Sequence, residues 1–377
     1  MANINAGILG LGFIGKVHVE ALMRLPGVRI AGICDENRDL ARAIAVEYGC
    51  TAYRHYTEML EDSNIDAIHN CTPNHLHFEI NRFAIEKGKH VLSEKPLAMD
   101  SAESAQLLEL SRNNPPLACG VCFQYRMYPL MQEYKHKFAA GELGKPRLVH
   151  GRYLQDWLMY DTDYNWRLSK QFAGKTRAIA DIGSHWCDLA QNLTSSRITA
   201  VMADLVNIIP VRYKPKQEIL TFSNTSGPVE REAVEIDTED YGAVMVRFDN
   251  GARGLFYVSQ VSGGHKCDLE IEVNTDTCSV AWRQEDSERI WIGRRDEANQ
   301  SAIRSQLKYA GQYTALPAGH PEGFNDAFKN NMLAFYNYIK GGCKGPQDFA
   351  TFEDGHNIMR LVDAIVESSD TKSWVHI

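Results

Sequence analysis

Three polar side chains of this chain stand out by type and setting. Lys95 lies in Glu94-Lys95-Pro96, directly after the apolar run His90-Val-Leu-Ser93. Asp181 and His185 are four residues apart in Ala180-Asp-Ile-Gly-Ser-His-Trp-Cys-Asp-Leu-Ala190. A lysine can neutralise charge developing on an oxygen, an imidazole titrates near neutrality and can take a proton, and a carboxylate can orient either. On a helix, a spacing of four puts Asp181 and His185 on one face. A histidine at a helix start is also a common cap or satisfied core residue, and spacing alone does not choose between these roles.

The elements that must position Lys95 come first in the chain. Ala6 to Gly10 reads as a short buried strand, followed at once by Gly10-Leu-Gly12-Phe13-Ile14-Gly15 and by helical periodicity from Val17 to Leu25. In that setting Gly10 permits the tight turn, Gly12 lets the backbone approach a pyrophosphate, and Gly15 allows the helix to pack closely on the strand. A second strand, Val28 to Cys34, ends in Asp35, at the distance expected of an acid that grips ribose hydroxyls. Asp35 favours NAD over NADP, because a carboxylate repels a 2′-phosphate. Arg38 reads either as a phosphate partner or as a solvated residue opening the helix Arg38 to Tyr48.

A third strand, Ile65 to Cys71, ends in Thr72-Pro73-Asn74-His75-Leu-His77, and a helix runs from Phe78 to Lys87. A polar, proline-stiffened turn at the carboxyl end of a parallel strand is where such sheets hold ligands. Cys71, His75 and His77 are few for a metal, and the turn has a cofactor role open to it. The short strand His90 to Ser93 then delivers Glu94-Lys95-Pro96. The helix Ser101 to Arg112 and the strand Leu117 to Phe123 complete an alternating series.

The second half changes character. A strand from Gly144 to Leu154 leads into Gln155-Asp156-Trp157, and the run Asp161-Thr-Asp-Tyr164-Asn-Trp166-Arg167 reads equally as an aromatic-anchored surface loop or as a sugar-binding segment. After Asn192 come strands at Thr199 to Ile209, Tyr241 to Phe248, Gly254 to Val261, Cys267 to Asn274, Thr277 to Arg283 and Arg289 to Ile292. Asp249-Asn-Gly251 predicts a two-residue hairpin. Pro210 to Glu232 reads as a long polar loop. His320 opens or caps a helix from Asn325 to Ile339, and a further helix runs from Glu353 to Glu367.

Composition narrows the function classes. A formal net charge of -8 and no dense Lys/Arg block leave no electrostatic footprint for nucleic acid. No apolar run is long enough to cross a bilayer, and Met1 to Leu11 reads as a first strand, not a signal peptide. The nine cysteines are odd in number and scattered, which suits reduced thiols in the cytoplasm. Cys119-Gly-Val-Cys122, on a strand, reads as a pair of buried structural thiols, without the partners a structural zinc needs.

Four motifs in order, Gly10-Leu-Gly-Phe-Ile-Gly15, Thr72-Pro-Asn74, Glu94-Lys-Pro96 and Asp181-Ile-Gly-Ser-His185, make the chain resemble the glucose-fructose oxidoreductase / inositol dehydrogenase / MocA (Gfo/Idh/MocA) family over essentially its whole length. The resemblance implies an α/β protein: an NAD-binding Rossmann domain over 1–123, then an α+β domain over 124–377 built on a large, mostly antiparallel open sheet, with C-terminal helices able to pack back on the first. It implies transfer of hydride from a secondary hydroxyl of a sugar or polyol to NAD, with Lys95, Asp181 and His185 as the catalytic set. The sequence looks most like the branch acting on glucosides and anhydrosugars such as levoglucosan. Inositol oxidation, ketosugar reduction and a non-catalytic dinucleotide-binding regulator are the alternatives.

By the same resemblance the cofactor contacts are Gly10, Gly12, Phe13, Ile14, Gly15, Asp35, Arg38, Thr72, Pro73, Asn74, His77, Glu94, Lys95, Gln124, Trp166 and Arg167. The substrate contacts are Lys95, Tyr125, Gln155, Asp156, Tyr164, Asp181, His185 and His320. A homodimer or homotetramer joined through the open sheet is also implied.

Overall fold

The computed structural model describes residues 3–216 and 230–377. The chain separates into two compact units, one of Met1–Pro129, Gln312–Ala315 and Glu322–Met359, the other of Leu130–Gly311, Leu316–Pro321 and Arg360–Ile377.

In the first unit six parallel strands, β1 (Ile4–Leu9), β2 (Val28–Cys34), β3 (Thr51–Tyr53), β4 (Ala67–Asn70), β5 (His90–Ser93) and β6 (Cys119–Val121), lie in the order β6-β5-β4-β1-β2-β3. A short antiparallel strand, Ala350–Thr351, flanks β6. All four residues of β4 are buried, as expected where helices cover both faces of a parallel sheet. Chain order reverses between β1 and β4, which opens a crevice at the carboxyl ends of the strands. Two elements not foreseen are β3 and the helix Tyr56–Glu61, which are too short for periodicity to reveal. The first helix, expected from Val17, already begins at Phe13 and ends at Met23. The helix Phe324–Lys340 packs along it, and Arg24 pairs with Asp326 at 2.5 Å.

The second unit is built on a large sheet of β7 (Pro146–Leu154), β8 (Ile198–Val206), β11 (Tyr241–Phe248), β12 (Arg253–Ser259), β13 (Asp268–Thr275), β14 (Ser279–Arg283), β15 (Arg289–Gly293) and β16 (Gln300–Ile303), with Val375–His376 at one edge. Two further strands, β9 (Val211–Pro215) and β10 (Arg231–Glu235), pair as a separate antiparallel ribbon. Its strands occupy the ends of the segment expected to be a long polar loop; the stretch from Ser223 to Pro228 lies outside the described residues. Among the described residues of the large sheet only β7 and β12 run parallel. The hairpin joining β11 to β12 has a three-residue loop, not two: the Phe248 amide donates to Ala252 O, the Gly251 amide donates to Phe248 O, and Gly251 takes φ +88°. This is a turn closed by a left-handed glycine, the usual bulged hairpin.

One face of this sheet carries the helix Ser184–Thr194. Trp186 stacks on Phe256 with ring centroids 4.5 Å apart and donates through its indole N–H to Glu270 O at 3.1 Å. Gly151 leaves room for that indole, because a Cβ there would meet it. Among the described residues no helix is long and apolar enough to cross a membrane.

Candidate active site

The glycine loop of the first unit has the features a dinucleotide requires. Gly10 takes φ +86°, and a Cβ at Gly15 would run into the carbonyl of Gly10, so the helix can lie this close to β1 only with glycine there. Gly12, by contrast, is exposed, and a Cβ on it would meet nothing within 4 Å. It N-caps the helix Phe13–Met23 with no side-chain cap and no acid in the first turn, which suits a pyrophosphate at the helix start. The Asp35 carboxylate accepts the Leu11 amide at 2.6 Å and the Asn37 amide at 2.8 Å, tying the end of β2 to the glycine loop. Each oxygen keeps acceptor capacity for a ribose hydroxyl. Phe13 is 56% exposed, Ile14 is half-buried and Arg38 is exposed, where it opens the helix Arg38–Tyr48 behind its Asn37 cap. These residues fit NAD.

The other strand ends are stitched beside this loop. The Cys71 amide donates to Leu9 O, the Glu94 amide to Asn70 O and the Cys122 amide to Ser93 O, each at 2.8 Å. This brings the Thr72-Pro73-Asn74 turn, Glu94-Lys95-Pro96 and the Gln124–Met127 turn into one row. A buried amide ladder braces the row: Thr72 Oγ1 donates to Asn70 Oδ1 at 2.7 Å, Asn70 donates to Asn81, and Asn81 donates to Ser93, the last two at 2.9 Å. Lys95 is half-buried, and the Lys95–Pro96 peptide is cis.

Three residues of this row play structural parts that the sequence did not reveal. His77 is buried with Nδ1 2.6 Å from Pro96 O and Nε2 2.8 Å from Thr72 O; a neutral ring has one N–H and donates to one of these two carbonyls, so it lies wedged between two turns. Burial holds its pKa below the ordinary imidazole range. Glu94 is 7% exposed and hydrogen-bonded to His18 Nε2 at 3.0 Å. Tyr125 is 2% exposed, with its ring stacked on Tyr128 and edge-on to Phe324. Gln124 is also buried. Cys71, His75 and His77 do not form a metal-competent group. Among the described residues that geometry occurs at His18, Glu94 and Cys122. No disulfide joins the nine cysteines, and burial pushes Cys119 up to about 12 and Cys122 well above its usual value.

In the second unit Asp181 does not lie on a regular α-helix. It sits in a π-helical turn, Ile179–Gly183, that leads into the helix Ser184–Thr194 carrying His185. Such wide turns recur at functional sites, where they shift the facing of a side chain. Glu239 anchors the start of the segment, accepting the Thr176 hydroxyl and the amides of Arg177 and Ile179, the latter two at 2.9 Å. The Arg177 guanidinium bonds to Asp240, which Arg212 also meets at 2.8 Å, all three side chains being buried.

Asp181 itself is half-buried. Gln260 Nε2 donates to its Oδ2 at 2.8 Å, and Arg167 Nε faces its Oδ1 at 3.4 Å. Arg167 also lies over the Trp166 ring, 4.4 Å from its centroid. Arg167, expected as a cofactor contact, is thus the ion-pair partner of Asp181. His185 is 5% exposed, its ring centroid 6.2 Å from that of Tyr153.

The Asp161 to Arg167 run is a supported segment. Arg212 donates to Tyr160 O and Asp163 O, the Tyr213 amide donates to Asp161 O, and Lys214 lies over Tyr164. Leu158, Leu168 and Ile236 form a small core beneath it, with Trp157 and Tyr164 packed against them. The ribbon β9–β10 supplies most of this support, which is why the sequence, reading it as loop, missed it. Gln155 accepts the Trp157 indole N–H at 2.9 Å. Burial raises the Asp156 pKa, but the Lys266 ammonium at 2.5 Å and the Gly264 amide outweigh it and hold the carboxyl below its usual range.

His320 is exposed in a turn, its amide bonded to Pro317 O, and does not cap the following helix. Gly323 is the cap there, with Asp326 accepting its amide at 2.9 Å. Gln260, Glu239 and Asp240 carried no sequence signal, because each acts through a partner distant in the chain.

Comparison with known proteins agrees with this architecture. Residues 4–119 match the description "Oxidoreductase family, NAD-binding Rossmann fold", and residues 131–281 match "GFO/IDH/MocA C-terminal domain". Levoglucosan dehydrogenase of Pseudarthrobacter phenanthrenivorans is 28% identical over 400 residues, spanning 100% of this chain and 99% of its own. Among solved structures, an oxidoreductase domain protein from Kribbella flavida aligns over both whole chains with a TM-score of 0.91 at 27% identity. Levoglucosan dehydrogenase in complex with NADH and levoglucosan aligns with a TM-score of 0.88 at 26% identity, over 100% of this chain and 99% of that one.

Proposed function

The chain belongs to the Gfo/Idh/MocA oxidoreductases, with their NAD-binding Rossmann fold, and from that premise we propose that it oxidises a secondary hydroxyl of a cyclic sugar, a glucoside or an anhydrosugar such as levoglucosan to the ketone. The observation that carries the reading is the row of stitched strand ends in the first unit, which sets Lys95 at the carboxyl end of β5, on the same edge of the sheet as the glycine loop and Asp35. When bound there, NAD supplies the acceptor for the hydride leaving the carbinol carbon. His185 takes the hydroxyl proton, so that the O–H electron pair becomes the second bond of the carbonyl. Lys95 favours the negative charge that develops on the oxygen. Asp181, restrained by Gln260 and Arg167, orients the imidazole or the substrate hydroxyl. A positioned base contributes roughly 10²–10⁴-fold, and alignment of the reacting groups contributes more. The oxidised carbon on this reading is C3, as the resemblance to the glucoside and levoglucosan branch implies.

The protein acts in the cytoplasm as a homodimer or homotetramer. Leu148, Met245, Leu255 and Tyr257 are exposed on one face of the large sheet, a covering surface suited to a second copy. The test is a panel of glucosides, anhydrosugars and inositols with saturating NAD, read by NADH absorbance. Turnover of an anhydrosugar or glucoside with a C3 ketone as product supports the reading. Tight NAD binding with no turnover of any polyol overturns it.

A further inference from the structure

Behind Glu94 runs a buried chain of hydrogen-bonding side chains that the reaction above does not use. Tyr336 Oη lies 2.7 Å from His69 Nε2, His69 Nδ1 lies 2.9 Å from His18 Nδ1, and His18 Nε2 lies 3.0 Å from Glu94 Oε1. The four residues come from the helix Phe324–Lys340, β4, the helix Phe13–Met23 and the end of β5. His18 and His69 are fully buried, and Tyr336 is 1% exposed.

Proton counting constrains this chain. A neutral imidazole has one N–H and one acceptor nitrogen, and an ionised carboxylate only accepts. With both rings neutral, His18 donates from Nε2 to Glu94, which makes its Nδ1 an acceptor. His69 must then donate from Nδ1, and its Nε2 accepts the Tyr336 hydroxyl. All the contacts are satisfied with both rings neutral, and every donor points towards Glu94. The surroundings keep His69 and the Tyr336 hydroxyl neutral. Burial, and then the nearness of His18, hold the His69 pKa well below the usual range, while burial pushes the Tyr336 hydroxyl up. Burial also raises Glu94, but the His18 hydrogen bond, followed by Lys95, outweighs it and leaves the carboxyl below its usual value.

The other groups facing the chain are Lys95, His77, Cys71 and Cys122 around Glu94, Asp66 towards Tyr336, and the ring of Phe328, 5.6 Å from that of His18. Cys71 and Cys122 are kept as neutral thiols by burial, so a metal held by His18, Glu94 and Cys122 would have to displace a satisfied hydrogen bond and ionise a thiol.

We propose that His18, with its tautomer set by His69 and Tyr336, is a positioning residue for Lys95: it holds Glu94 in place as an anion, and Glu94 Oε2 accepts the Lys95 backbone N–H at 3.2 Å, fixing the turn from which the lysine acts. The effect on turnover rests on the role given to Lys95 above, whereas the tautomers and the restraint on the Lys95 amide do not.

The experiment uses the full chain with NADH, labelled with ¹⁵N-histidine for tautomer assignment, together with amide exchange at Lys95. His18 is expected to carry its proton on Nε2 and His69 on Nδ1. His18→Leu is expected to expose the Lys95 amide to exchange, to lower kcat about tenfold or more and to shift its pH profile, with NADH affinity within about twofold of the parent. His18→Gln, whose amide can still donate to Glu94, restores most of each. His69 protonated on Nε2, or a Lys95 amide equally protected in His18→Leu, overturns the proposal whether or not a sugar is turned over. A kcat and pH profile unchanged in His18→Leu overturn it as well.

Discussion

Gln260 Nε2 donates to Asp181 Oδ2 at 2.8 Å, joining the residue after β12 to the π-turn that precedes His185. A hydrogen bond to a charged group is worth about 1.5–3 kcal/mol. If Asp181 is used in the chemistry, Gln260→Leu lowers kcat by roughly tenfold or more, with NADH affinity unchanged. Steady-state kinetics beside a fluorescence titration with NADH checks this, and an unchanged kcat removes Asp181 from the mechanism.

Lys95→Ala and His185→Asn each lower kcat, by roughly 10²-fold or more. Because both serve one oxygen in the proposed reaction, the double variant falls far short of the product of the single effects. Fully multiplicative losses in the double-mutant cycle indicate that the two act independently.

Asp35 ties the glycine loop to the end of β2 and, on the proposed reading, selects the cofactor. Asp35→Ser removes the carboxylate that repels a 2′-phosphate, and Arg38 lies three residues away in the sequence. The ratio of kcat/KM for NAD over NADP is expected to fall at least about tenfold, a change of about 1.4 kcal/mol. An unchanged ratio assigns Asp35 to loop geometry alone.

Asp240 is buried between Arg177 and Arg212 and accepts the amides of Ile208 and Ile209 at 2.9 and 2.8 Å. Burial raises its pKa, but Arg177 first and then these hydrogen bonds leave it below the ordinary carboxylate value. Its folded-state pKa is depressed, so the stability it contributes is present above the unfolded value of about 3.9 and is lost as pH falls through the folded value. Asp240→Asn leaves two buried guanidinium groups under-compensated and is expected to cost about 3–5 kcal/mol near neutrality. The variant's deficit relative to the parent narrows below about pH 4. Chemical denaturation at several pH values checks both. A deficit that is constant with pH means that charge is not the cause.

Leu255 pairs with Met245 across β11 and β12, and Arg253 of the same strand face pairs with Leu148 of β7. Leu255→Asp is expected to shift the assembly to a smaller species in sedimentation velocity, with far-UV circular dichroism unchanged. A sedimentation profile identical to the parent's places the contact elsewhere.

The chain's local chemistry was legible wherever neighbours in sequence are neighbours in space. Gly10 to Gly15, Asp35 and the helix Arg38–Tyr48 needed only turn chemistry and periodicity, and the strand His90–Ser93 was bounded by its own flanks. The limits appear where one residue carries two functions or a segment is short. β3 offers three residues to a periodicity argument, and the β9–β10 ribbon encloses a polar stretch whose composition reads as loop.

By itself the sequence determined the dinucleotide loop, the alternating first half and the strand-rich second half, and it singled out Lys95, Asp181 and His185 as candidates. Tertiary structure decided which partners hold the polar side chains around them: Glu94 on His18, Asp181 on Gln260 and Arg167, His77 between two backbone carbonyls. The reason is physical. A turn or a helix start is written in the preferences of adjacent residues, whereas a buried polar atom takes whichever partner the fold brings within about 3 Å, with no constraint on its place in the chain.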